Sequence, residues 1–306
     1  MPWGTLVPIA AAYAACYELT HYLSYSHWIL PAGLRLACLL LLPYRMWPAI
    51  VVGEALPVFE NAMMCVRQLG WAWAGISAIP FVLLCIPVVR WIRNRMPLYL
   101  ADGQINMGMI LLATLACALI TALRTDTAVF AALMHGKGGM ATWHAEGLVD
   151  LQAYILGSYL GALTLTPTLL ALHERFSGPC SWKSFWRSRL THDVALGVIP
   201  FLTTIVVMAP SGSITPADVQ QLHLYRLAVL IPVLVLTMRH GWRGAALAGM
   251  LSSIALATTS AVLMDPAMIR AQAVLALTIS GSLLAGVSMP HVVTLRPAFA
   301  RKSRGD

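Results

Sequence analysis

The chain has 306 residues, of which 59% are hydrophobic and only 10% are charged, and its mean hydropathy is +0.75. An ordinary soluble domain carries roughly 25% charged residues, so the composition excludes a water-soluble globular protein and predicts an all-α, polytopic integral membrane helical bundle. The formal net charge is +8, but the basic residues fall between the apolar runs, which is typical of membrane topology signals, so no nucleic-acid partner is expected.

Apolar runs that approach the roughly 20 residues of a membrane-spanning helix recur along the whole chain. In chain order the predicted spans are 3–23, 29–42, 47–64, 71–91, 104–123, 147–173, 193–210, 222–239, 243–264 and 269–290. The second run is short and is bounded by Pro31 and Pro43, so the prediction is about ten spans, with eight as the lower bound. Residues 1–290 are predicted to form one transmembrane domain and residues 291–306 a short basic cytoplasmic tail.

The distribution of lysine and arginine predicts the orientation of these spans. When the first span starts in the cytoplasm, most of the 20 basic residues fall in the inner linkers, including Arg45, Arg93 and Arg239. The positive-inside rule therefore predicts an even number of spans with both termini cytoplasmic. The two longest linkers are expected outside at 124–146 and inside at 174–192, with the charged residues of 124–146 forming a solvated rim.

Each of the first three predicted spans carries a charged side chain that could belong to one cluster: Glu18, Arg35 and Glu54. A lone charge at the centre of a span costs roughly 3 kcal/mol on insertion scales, so such groups find partners inside the bundle. At a rise of 1.5 Å per residue, Arg35 and Glu54 come to depths of about 10 Å and 9 Å from opposite ends of their spans, and these depths can meet. We expect Arg35 to be bound by Glu18, Glu54 or both, in a cluster that is either a structural pin or a ligand or proton site.

No motif for catalysis or for a cofactor is recognisable. The chain has no P-loop, GxSxG, dinucleotide fingerprint or HExxH sequence, and its six cysteines form no CxxC pair. The nine histidines fall at the ends of the predicted spans or between them, whereas a haem held between helices usually needs axial ligands that face each other. Catalytic residues, metal ligands and cofactors are therefore not expected.

Small residues and a proline predict how one later span packs. GSYLG at 157–161 is a GxxxG motif, in which Gly157 and Gly161 let a neighbouring backbone approach closely. Pro167 lies in the same span and frees a backbone carbonyl, and Thr164 or Thr166 is expected to bond to it.

Several short motifs, taken in order, resemble a known family. HWILPAGLRLACLLLLPYRMWPAIVVGE (27–54), SYLGALTLTPTLLALHERF (158–176) and RHGWRGAALAG (239–249) are similar to sequences of the membrane-associated sensor domains of type one, the MASE family. The residues that carry the resemblance are Trp28, Pro31, Gly33, Arg45, Trp47, Pro48, Gly53, Pro167, Arg239 and Gly241.

The resemblance implies a non-catalytic sensory module of the bacterial inner membrane, embedded in the lipid bilayer. Family members usually precede a histidine kinase or a diguanylate cyclase, whereas after the last predicted span only the short basic tail with RPAFARKSRGD remains here. A separate kinase or cyclase is therefore the expected partner, and a homodimer is the assembly considered.

Two other functions remain open from the residues. A small-solute transporter or channel fits the many spans and buried charges, although no matched pair of broken helices is visible in the sequence. An enzyme acting on lipid-linked substrates would place its chemistry in the outer loop, at Asp126, His135, His144 and Glu146.

Overall fold

The computed structural model describes residues 3–24, 28–135, 139–176, 188–208, 216–258 and 266–288, almost all of them helical. The first six helices are α1 (Trp3–Tyr22), α2 (Leu30–Leu41), α3 (Trp47–Ser77), α4 (Phe81–Arg95), α5 (Met107–His135) and α6 (Gly139–Phe176). They are followed by α7 (Arg189–Asp193), a π turn (Val194–Val198), α8 (Ile199–Met208), α9 (Pro216–Ala228), α10 (Leu230–His240), α11 (Trp242–Thr258) and α12 (Pro266–Ser288).

The predicted all-α, multi-pass membrane architecture is confirmed. Six stretches of the described residues are long and apolar enough to cross a bilayer. They are Tyr44–Arg95, Met107–His135, Asp150–Phe176, Arg189–Met208, Leu222–His240 and Met268–Ser288, and the first of these contains both α3 and α4. The predicted tail 291–306 lies outside the described residues.

Two predicted boundaries are wrong. The span predicted at 47–64 continues as α3 to Ser77, with a non-helical residue at Gly70, and the connection to α4 lies at 78–80. The predicted outer linker at 124–146 is largely helical, because α5 continues to His135 and α6 begins at Gly139. Charged residues such as Arg124 suggested a helix end there, but a membrane helix tolerates such a charge when other helices supply its partners.

Helix α2 occupies the centre of the first half of the bundle. Ten of its twelve residues are buried, and Leu36 and Leu39 have no exposed surface. The turn that follows α2 contains Arg45, so we call that side of the bundle the Arg45 end, and the opposite side, where α5 finishes, the His135 end.

The GxxxG motif forms a backbone contact between α6 and the start of α2. The amide of Ile29 donates a 3.1 Å hydrogen bond to the carbonyl of Gly157. A Cβ atom at Gly161 would clash with the Ile29 carbonyl oxygen, and one at Gly33 would lie 2.5 Å from the Gly161 carbonyl oxygen. Only glycine permits this approach at Gly161, so the predicted close backbone contact is confirmed there.

The threonines beside Pro167 bond to partners other than the predicted one. Thr166 donates to the Gly33 carbonyl on α2 at 3.0 Å, and Thr164 donates to the Leu160 carbonyl at 2.8 Å. The prediction that one of them bonds the carbonyl freed by Pro167 is therefore wrong. One hydroxyl instead bonds a carbonyl of α2, and the other bonds a carbonyl one turn earlier in α6.

Candidate functional site

The intramembrane charges at Arg35 and Glu54 form a buried ion pair between α2 and α3. The Arg35 Nη2 atom lies 3.0 Å from Glu54 Oε1, and Nε donates to both carboxylate oxygens at 3.2 and 3.1 Å. The two residues are 2% and 0% exposed, respectively. A charge-assisted pair with this geometry offsets much of the cost of removing both groups from water.

Two neutral donors complete the surroundings of the Glu54 carboxylate. The Tyr13 hydroxyl on α1 donates to Oε2 at 2.9 Å, and the backbone amide of Val82 donates to Oε1 at 3.1 Å. Val82 lies in the first turn of α4, where backbone amides have no partner within the helix. Glu54 therefore caps α4 and places its negative charge at the positive end of the helix dipole.

Arg124 on α5 binds the other side of the break between α3 and α4. Its Nη2 atom donates to the Ser77 carbonyl and, at 3.1 Å, to the Ile79 carbonyl. These carbonyls belong to the end of α3, where the helix dipole is negative. The break at 78–80 thus has a cation at its carbonyl side and an anion at its amide side.

This break lies within the bundle and not at its surface. At Gly70 the backbone φ is +87°, and a Cβ atom there would lie 2.8 Å from Cγ of His135, so α3 changes direction beside the end of α5. Ser77 is bonded by Arg124, about 16 Å along α5 from His135. With its 15 residues α4 measures about 22 Å, less than the roughly 30 Å hydrocarbon core. Residues 71–95 therefore form one crossing interrupted at 78–80.

The Phe81 ring lies against both arginines. The Cζ atom of Arg124 is 4.0 Å from the ring centroid, and the Cζ atom of Arg35 is 5.0 Å from it. Each distance is within the range of a cation–π interaction. The Cζ atoms of the two arginines are therefore no further apart than the sum of these distances. Phe81, the first residue of α4, thus contacts two positive charges.

A cavity of about 660 Å³ opens above this arrangement, toward the His135 end. Arg35, Phe81 and Arg124 form its deep part, and the cavity is also lined by Glu18, His21, Glu60, Trp73, Thr121 and Tyr154. Its volume falls in the range of small-molecule sites in proteins.

The Arg45 end of α4 is bonded to the end of α2. Arg93 donates from Nη1 to the carbonyls of Leu39 at 2.6 Å and Leu42 at 3.1 Å. Its Cζ atom also lies 4.7 Å from the centroid of the Tyr44 ring and 5.8 Å from that of Trp47. One short helix therefore joins the cavity floor to the turn that precedes α3.

The residues that carry the family resemblance mostly hold backbone contacts. Trp28 is buried and donates to Thr164 Oγ1 at 3.2 Å, and a Cβ atom at Gly53 would lie 2.5 Å from the Ala10 carbonyl oxygen. Pro31 lies in the first turn of α2 and Pro48 in the first turn of α3, where proline is tolerated.

Most of the remaining motif residues lie near the Arg45 end, where Trp47 is buried at the start of α3 and Arg45 is exposed. Pro167 lies inside α6. Gly241 ends α10 with φ +63°, a conformation that favours glycine. The preceding Arg239 contacts Asp193 at 3.4 Å, and His240 contacts the same carboxylate at 2.9 Å.

Of the two carboxylates considered as partners for Arg35, only Glu54 binds it in the described structure. Glu18 is exposed and lines the cavity, without an ion pair to Arg35. Tyr13, Phe81, Thr121 and Arg124 were missed as members of the site. Two sequence signals could have found part of the site: Pro80, which precedes α4, and Arg124, which interrupts an apolar run.

A comparison with protein families identifies the chain. The MASE1 family model matches residues 3–289, which is nearly the whole sequence. No curated protein and no solved structure matches the chain. The match includes the α2–α3 hairpin, the GxxxG helix α6 and the Arg239–Gly241 turn, so the chain belongs to the MASE1 family of membrane-associated sensor domains.

Proposed function

We propose that this chain is a non-catalytic signal-input module of the bacterial inner membrane. The observation that carries the proposal is the position of Glu54, which binds Arg35 on α2 and caps α4 at the floor of the cavity. A group that occupies the cavity can change this set of bonds, because Arg35, the partner of Glu54, and Phe81, the first residue of α4, both line the floor. The MASE1 membership supports a sensory role without catalysis.

Helix α4 is the element that transmits the change. Its first turn is held by Glu54, and Arg93 near its other end is bonded to the carbonyls of Leu39 and Leu42. Because α4 connects these two sets of bonds, a displacement at Phe81 can pass along the helix to the Arg45 end. A stimulus then shifts the balance between two positions of α4 by its differential affinity for them.

The Arg45 end is proposed to face the cytoplasm. The basic residues Arg45, Arg90, Arg93 and Arg95 lie at this end, which agrees with the positive-inside rule. On this orientation the chain has eight to ten spans with both termini cytoplasmic, and the cavity opens to the outside. The exposed turn Tyr44–Met46 is then available to a separate histidine kinase or diguanylate cyclase, with the chain acting alone or as a homodimer.

Purification and partner activity test the sensory function. The full-length chain is isolated in mild detergent, and proteins that accompany it are identified by mass spectrometry. The kinase or cyclase rate of such a partner is then measured in nanodiscs with the wild-type chain, with Glu54→Gln and, as control, with Asp102→Asn, an exposed residue that does not line the cavity. We expect Glu54→Gln alone to change the rate. A partner whose rate is the same with all three chains would overturn the proposal.

A small-solute transporter or channel is the second candidate, and the break at 78–80 is the observation that favours it. Transporters often place substrate sites at interrupted helices, and this break was not recognised in the sequence. Proteoliposomes that contain the purified chain distinguish the two functions. Saturable solute flux that Glu54→Gln abolishes would support transport, whereas the sensory proposal expects no flux above that of empty vesicles.

A further inference from the structure

The floor of the cavity carries more positive than negative charge. Arg35 and Arg124 both contact Phe81, and the only carboxylate bonded to either of them among the described residues is Glu54. Both Glu54 oxygens are already occupied by Arg35, Tyr13 and Val82. The bonds of Arg124 run to neutral carbonyls, which stabilise its charge without neutralising it. A guanidinium that is partly removed from water and has no counter-charge is costly, so this arrangement favours an anion.

Three buried donor atoms at the floor have no hydrogen-bond partner within the described structure. They are Nη1 of Arg35, Oγ1 of Thr121 and Nε of Arg124. Arg35 and Thr121 are each only 2% exposed, and all three residues line the same cavity. Buried polar groups of native proteins are nearly always bonded, so the convergence of three such donors indicates the head group of a ligand.

The rest of the cavity has a different character. Above the floor, its walls include the aromatic rings of Tyr17, Trp73 and Tyr154. The acidic residues Glu18 and Glu60 line the cavity and are exposed, so they lie nearer to its opening. A ligand whose negative group binds at the floor therefore keeps its apolar body among the rings and keeps its charge away from the two glutamates.

We propose that this cavity binds a small organic carboxylate, and that this ligand is the stimulus of the proposed sensor. The carboxylate head accepts hydrogen bonds from Arg124 and Thr121 and neutralises the charge of Arg124, and its apolar body packs on Phe81 and Trp73. The inference rests on the proposed function for its biological meaning, but the binding itself does not depend on any partner protein.

The binding test uses three probes on the full-length chain in nanodiscs. These are 3-phenylpropanoate, its neutral amide 3-phenylpropanamide and inorganic phosphate, and binding is followed by calorimetry and by quenching of tryptophan fluorescence. We expect the carboxylate to bind and the amide to bind at least about tenfold more weakly, since a hydrogen bond to a charged group contributes about 1.5–3 kcal/mol. Equal affinity for the acid and its amide, or binding of phosphate without the carboxylate, would overturn the proposal.

Conservative variants place the binding at the proposed floor. Arg124→Lys retains the charge but loses the planar array of donors, and Thr121→Val removes a hydroxyl while keeping the shape. Arg67→Lys on the exposed face of α3 and Thr127→Val on the exposed face of α5 are the matched controls. We expect the first pair to weaken 3-phenylpropanoate binding about tenfold and the controls to leave it unchanged. Binding that neither Arg124→Lys nor Thr121→Val weakens would show that the carboxylate sits elsewhere.

The same samples separate this inference from the proposed function. Carboxylate binding that does not alter the rate of a partner would retain the site and overturn the sensory role. A partner rate that responds to Glu54→Gln, with no carboxylate binding at all, would retain the sensory role and overturn the ligand class.

Discussion

The carboxylate of Glu54 on α3 accepts a 3.1 Å hydrogen bond from the backbone amide of Val82, which lies in the first turn of α4. The two residues are far apart in sequence, and the helix that begins beside Val82 starts inside the bundle. This contact holds the start of α4, and Arg124 holds the other side of the break through the carbonyls of Ser77 and Ile79.

Replacement of Glu54 by glutamine is expected to destabilise the protein by about 3–5 kcal/mol, because it leaves the Arg35 charge buried without a partner. The free energy of unfolding is measured by denaturant titration in mixed micelles. Glu60→Gln, on the exposed face of the same helix, is the control and is expected to change it by less than about 0.5 kcal/mol. The double variant with Arg35→Gln should recover part of the loss. A Glu54→Gln protein as stable as Glu60→Gln would contradict the prediction.

Replacement of Tyr13 by phenylalanine removes only the hydroxyl that donates to Glu54 at 2.9 Å. We expect a loss of about 1–3 kcal/mol in the free energy of unfolding, because the bond is buried and its acceptor is a charged carboxylate. Tyr22, which is 86% exposed, provides the matched control Tyr22→Phe. Identical unfolding curves for the two variants would show that the hydroxyl does not support the carboxylate.

Alanine at Gly161 is expected to disrupt the contact between α6 and the start of α2. Its Cβ atom would meet the Ile29 carbonyl, which is backbone and cannot rotate away, so we expect a loss of about 1–3 kcal/mol. Gly281 in α12 has no atom within 4 Å of a built Cβ, and Gly281→Ala is expected to be neutral or slightly stabilising through helix propensity. The melting temperatures of the two variants in detergent check the difference, which should vanish if α2 and α6 do not pack as described.

Gly70 and Gly103 allow backbone strain to be separated from contact. Both have positive φ, +87° and +79°, but only a Cβ atom at Gly70 has a neighbour, the ring of His135 at 2.8 Å. Gly103→Ala should cost about 1–2 kcal/mol from the backbone conformation alone, and Gly70→Ala should cost more. The double variant Gly70→Ala, His135→Ala should recover the part of the loss that comes from the contact with the His135 ring. Equal losses in both single variants would show that α3 does not change direction against His135.

Much of this protein was predictable from its sequence. Its apolar composition determined a membrane helical bundle, since no soluble fold exposes so much hydrophobic surface. The GxxxG motif predicted the close contact at Gly161, and the intramembrane charges predicted that Arg35 would be found with an acidic partner. These inferences succeed because they depend on what each residue cannot tolerate in lipid, a property that is local to the chain.

Only the tertiary structure decided which carboxylate Arg35 binds, where α4 begins and which residues line the cavity. Glu18 and Glu54 were equivalent candidates along the sequence, and they differ because α3, and not the end of α1, brings its carboxylate against α2. The membership of Arg124 was hidden for the same reason: its partners are carbonyls at Ser77 and Ile79, and backbone atoms leave no signal in residue types. Sequence shows that a buried charge needs partners, but only packing in three dimensions selects them.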